Sequence, residues 1–80
     1  MDNIEIQTIE FDTASDAIQH ASAKHAEFGG TGVAVLLGGK HRLIAEADAH
    51  RLAAAGCEFA YLGEVEMADG RRRIVTIPVN

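Results

Sequence analysis

The sequence predicts an α+β domain: a two-layer sandwich with a mainly antiparallel sheet and two helices on one face. The expected order is ferredoxin-like, β-α-β-β-α-β, with an additional C-terminal edge strand. Three observations lead there. Stretches rich in Ile, Val and Leu recur at 3–11, 32–38, 40–46, 57–67 and 71–79. Two stretches with apolar residues at helical spacing, 12–28 and 46–56, separate the first strand from the second and the third from the fourth. Gly38-Gly39 and Ala68-Asp69-Gly70 supply hairpin turns where two strands follow each other directly.

The first stretch, "NIEIQTIEF", alternates apolar and polar residues, but the phase changes between Ile6 and Ile9. A bulge near Gln7-Thr8, or burial on both faces, accounts for that. In "DTASDAIQHASAKHAEF", Asp12 or Thr13 can cap a helix, with Asp16 three residues beyond Thr13. Ala14, Ala17, Ile18, Ala21, His25 and Phe28 form its apolar stripe, and Gly29 is placed to end it.

"GVAVLLG" is too apolar to have a wet face and belongs inside the sheet. Gly38-Gly39 offers the positive φ of a tight hairpin, and "KHRLIAE" returns. The helix in "EADAHRLAAAG" carries acids in its first turn, Arg51 later and Gly56 at its end, with Ala49, Leu52 and Ala53 toward the sheet. "CEFAYLGEVEM" and "RRRIVTIPV" flank "ADG". A two-residue turn at Asp69-Gly70 pairs Ala68 with Arg71, Glu66 with Arg73, Glu64 with Val75 and Leu62 with Ile77. Pro78 suits an edge strand, where its missing N–H is harmless.

Eighty residues make one domain, 1–80. A chain this short buries roughly 60–65% of its unfolded surface, so the core is thin, and a partner subunit could complete it. The formal charge of −5 argues against nucleic acid and against a basic membrane surface. The lone Cys57 has no disulfide partner and fits a reducing compartment. "MDNIEIQTIE" lacks the basic and apolar regions of a signal peptide, and no apolar run approaches the ~20 residues of a membrane helix. The expected setting is the cytoplasm of a bacterium-like cell.

The glycines invite a phosphate-binding reading, which fails on two counts. Gly39-Lys40 is followed by His41 where a P-loop needs Ser or Thr, and the residue five before Gly39 is Ala34. Gly29-Gly30-Thr31-Gly32 follows a helix, whose C-terminus presents carbonyls rather than N–H groups.

Metal chemistry is poorly supported. His20 and His25 stand about 140° apart on a helix, and no CxxC or HxxxH occurs. Only a tertiary meeting of His25, His41 and Cys57 could bind zinc, so no metal and no cofactor is expected. Ser15 and Ser22 lack a strand–Ser–helix elbow, Cys57 has no local activator, and no catalytic residue is assigned. RNA-recognition domains share the ferredoxin-like order but stack bases on strand aromatics. "IEIQTI" and "HRLIAE" have none, so Arg71, Arg72 and Arg73 read as a solvated rim.

The last hairpin is more informative. In the register above, Cys57, Phe59, Tyr61, Val65 and Ile74 face the helices. Ala60, Leu62, Val75, Ile77 and Val79 then meet on the opposite face, which is too apolar to stay wet. Leu62, Val75, Ile77 and Val79 are therefore the candidate interface. The expected function is non-enzymatic protein–protein interaction, with self-association. The alternative is a small-ligand regulatory domain, its ligand near Gly29–Gly32 or Gly38–Lys40.

Overall fold

The computed structural model describes residues 6–23 and 31–80. The chain forms β1 (Ile9–Phe11), α1 (Ala14–Ala23), β2 (Gly32–Leu37), β3 (Lys40–Ala45), α2 (Glu46–Ala54), β4 (Phe59–Glu66) and β5 (Arg72–Val79). The five strands make one antiparallel sheet in the order β1-β3-β2-β4-β5.

Local chemistry sets the boundaries. Thr13 caps α1, its Oγ1 accepting the Asp16 N–H at 3.1 Å. Gly38 and Gly39, at φ 62° and 78°, make the two-residue turn that pairs Leu37 with Lys40. At the end of α2, Gly56 adopts φ 80°, the Gly56 N–H donates to Ala53 O at 3.1 Å and the Cys57 N–H donates to Leu52 O at 3.0 Å. That is a Schellman stop, with Cys57 and Leu52 both in the core beneath it. Asn80 ties the last strand back to this corner, its Nδ2 donating to Ala53 O at 2.8 Å. The proposed helix stop at Gly29, and the stripe residues His25 and Phe28, lie outside the described residues.

The ferredoxin-like order is not adopted. That order places β4 beside β1; here β4 pairs with β2. The helices do not share a face either. Residues opposite each other in an antiparallel ladder point the same way, and alternate residues point opposite ways. Val35, Ile44 and Phe59 form one cluster with Ala49 and Leu52 of α2. Leu43, with Ile9 and Ala34 opposite it, points to the other face. That face carries α1, whose Ala17 is fully buried and whose His20 ring stacks 4.6 Å from Phe11. The molecule is three layers, α1, sheet and α2.

The two departures have one cause. β1 and β2 are parallel and flank β3, while β3 and β4 are parallel and flank β2. Both crossovers step the same way across the sheet, from strands running in opposite directions. They keep a common hand, as such connections require, only if their helices cover opposite faces. β2 is thus buried on both sides, with Ala34 5% and Val35 0% exposed, which agrees with its unbroken apolar run.

Of the predicted strand 3–11, residues 3–5 lie outside the described residues. Among the described ones, Ile9–Phe11 pair with Leu43, Arg42 and His41, while Ile6–Thr8 do not. Ile6 packs on the α2-side core, whereas Ile9 and Phe11 face α1, so the change of phase in the sequence is a real change of face.

Candidate interaction surface

The β4–β5 hairpin holds every candidate interface residue. Its turn contains three residues, Ala68, Asp69 and Gly70, rather than two. The Gly70 N–H donates to Met67 O at 2.9 Å, and the Met67 N–H donates to Arg71 O at 2.6 Å. Gly70 sits at φ 85°, and Asp69 Oδ1 accepts the Arg71 N–H at 3.0 Å. A type I turn followed by a left-handed glycine is the usual three-residue solution.

The extra loop residue shifts the ladder by one. Glu66 lies opposite Arg72, Glu64 opposite Ile74, Leu62 opposite Thr76 and Tyr61 opposite Ile77. A one-residue slip reverses every side chain of β5. The expected grouping is therefore corrected. Val75, Ile77 and Val79 lie on the α2 side with Phe59, Tyr61, Gly63 and Val65, while Leu62 lies on the α1 side with Ile74, Thr76 and Pro78. Val79 reaches the core, and Val75 is half-buried. The predicted Glu66–Arg73 pair is replaced by Arg72 Nη1 and Glu64 Oε1 at 2.9 Å, a diagonal contact on the α1 side.

What the surface presents follows from this register. Among the described residues, the large hydrophobics left exposed are Ile77 at 57%, Val65 and Met67 at 43%, and Ile74 at 37%. All four belong to β4, β5 or their turn. β5 forms the outer edge of the sheet over eight residues, paired without a break from Arg72 to Val79. Arg71 faces Met67 through its backbone, so alternation turns the backbone groups of Arg73, Val75 and Ile77 toward β4. Those of Arg72, Ile74, Thr76 and Pro78 point outward, where the proline lacks only a donor the sheet does not use.

On the α1 side, Ser15, Ile18 and Gln19 face Glu64, Arg72 and Ile74 across an open groove of about 650 Å³. The glycine turn at Gly38–Gly39 is far simpler: a Cβ at either position would meet open space, and the two residues reverse the chain. Gly29 and Gly30 lie outside the described residues, and Gly32 opens β2 opposite Ala45.

His41 points to the α1 side, opposite Phe11 and Leu36, and Cys57 packs on the α2-side core, so the sheet separates them. His25 lies outside the described residues. Among the described residues no three of His, Cys, Asp and Glu gather to hold a metal ion, and no helix is long and apolar enough to cross a membrane. No known family, no curated protein and no solved structure matches the chain.

Of the four exposed hydrophobics, sequence reasoning placed only Ile77 on the exposed face; Val65 and Ile74 were expected to face the helices, and Met67 was not assigned. Gly70 did not decide the register, because its left-handed conformation suits either turn. An "ADG" turn closes as readily with three residues as with two, and the outward Asp69 carboxylate favours the longer form by binding the Arg71 N–H.

Proposed function

We propose that this chain is a non-enzymatic protein–protein interaction module that associates with a second copy of itself through the β4–β5 ribbon. One observation carries the reading: Val65, Met67, Ile74 and Ile77 are exposed together on a single hairpin. Isolated exposed hydrophobics need no explanation, but four on one hairpin of a small protein, Val65 and Ile77 toward α2 and Ile74 toward α1 among them, mark both faces of this ribbon as unusually apolar. The single free cysteine and the acidic charge are compatible with a cytoplasmic setting, which belongs to the same proposal.

Sedimentation velocity across the micromolar range tests it. The expected result is a mass that rises to twice the monomer with concentration. Ile77→Lys should return the monomer with unchanged circular dichroism and melting temperature, because Ile77 is mostly exposed. A monomer at every concentration removes the reading.

The groove beside Arg72 and Glu64 supports a second reading, a small-ligand regulatory domain, at a place other than the glycine turns first considered. A thermal-shift screen against amino acids and nucleotides addresses it. A ligand-specific rise that Arg72→Ala abolishes favours this second reading.

A further inference from the structure

We infer that the second copy docks by antiparallel pairing of β5 with β5 of its mate, in one register, with Ile74 opposite Ile74. The inference rests on the self-association proposed above and specifies its geometry.

The edge is a long, unbulged template of the kind proteins normally blunt. Here the blunting devices stand at its two ends: Arg71, Arg72 and Arg73 at one, Pro78 at the other. Between them Ile74 and Thr76 offer outward backbone donors and acceptors, and Arg72 adds one more pair.

A twofold antiparallel pairing of β5 with itself allows few registers, because outward residues must meet outward residues. Centring on Arg72 or Arg73 places like charges directly opposite. Centring on Val75 or Thr76 brings Pro78 into the ladder opposite Arg72 or Ile74, where its ring meets a strand that expects a donor. Centring on Ile74 avoids both. Arg72 then pairs with Thr76 of the mate, and Ile74 with its own copy, so every outward N–H and C=O from 72 to 76 finds a partner. Pro78 falls beyond the paired segment.

The side chains agree with this register. On the α2 side it sets Arg73 against Val75 of the mate and Arg71 against Ile77. The arginine stems cover apolar side chains while their heads reach water. Ile77, the most exposed of the large hydrophobics, gains such a cover, and Tyr61 beside it offers a ring to the Arg71 guanidinium. The segment is self-complementary: arginines at its start meet uncharged residues at its end. That is the reason to assign the edge to a second copy rather than to an unrelated strand. The contact is isologous and closes after two chains.

Disulfide trapping in a Cys57→Ser background tests the register. Ile74→Cys brings two Cα atoms to about 5.5 Å, within bridging range, and mild oxidation should link most of the protein. Thr76→Cys places its copies roughly 14 Å apart, four residues along the strand, and should not link. Thr76→Pro removes only an outward donor, so it should leave the monomer folded and weaken dimerisation about tenfold or more. A dimer by sedimentation in which Thr76→Cys links and Ile74→Cys does not, or neither links, overturns this register while self-association stands. A strict monomer overturns both and leaves the edge to a different chain.

Discussion

Replacing glycine by alanine at two positions of this protein should change stability in opposite directions. At Gly56 the backbone holds φ 80°, and a Cβ would meet nothing within 4 Å. The penalty is therefore conformational alone, about 1–2 kcal/mol for an L-residue in the left-handed region. Part is offset because alanine leaves the unfolded chain less freedom, about 0.4–1 kcal/mol. The net expectation for Gly56→Ala is a loss of about 1 kcal/mol. For a domain of this size that lowers the melting temperature by roughly 4–8 °C. Gly63 is the contrast. It sits within β4 without a positive φ, opposite Val75, and a Cβ would lie 3.4 Å from Val75 Cγ2, an ordinary contact. A glycine inside a strand forfeits roughly 0.5–1 kcal/mol relative to alanine, so Gly63→Ala should raise stability by about that amount. Urea denaturation of the three proteins, at one fixed concentration, measures both. Equal signs would refute the reasoning, in which the backbone geometry sets the sign at each site.

Two further substitutions probe the layers. Leu43→Ala empties a fully buried position beneath α1 and should lower unfolding stability by about 3 kcal/mol, read from denaturant midpoints at constant slope. Thr13→Ala removes the oxygen that accepts the Asp16 N–H and should cost about 1 kcal/mol, with a matching loss of helical signal at intermediate urea.

The α+β class, both helices, the glycine hairpin and the edge place of β5 were legible because each has a local cause. Thr13, Gly38-Gly39, Gly56 and Pro78 act within a few residues of themselves. Strand order has no such local signature. Yet the apolar run of β2 held a clue, because the ferredoxin-like order puts the second strand at an edge, where one wet face is expected. Ala34 and Val35 require cover on both sides, and the three-layer arrangement supplies it. The register of β4 and β5 was missed for a different reason. It depends on whether Gly70 is the second residue of a two-residue turn or the third of three, and both forms use the same residues. That single uncertainty moved Val75, Ile77 and Val79 to the other face and separated them from Leu62. The surface chemistry of the hairpin therefore became readable only with its register.

Residue-resolved amide exchange at rising protein concentration tests the proposed edge pairing most directly. In the isolated chain the Val75 and Ile77 amides point toward β4, whereas those of Arg72, Ile74 and Thr76 point to solvent. Self-pairing through β5 predicts that Ile74 and Thr76 slow by at least about tenfold as dimer forms, while Val75 and Ile77 are protected throughout. Exchange at Ile74 and Thr76 that stays fast in a sample shown to be dimeric would contradict it.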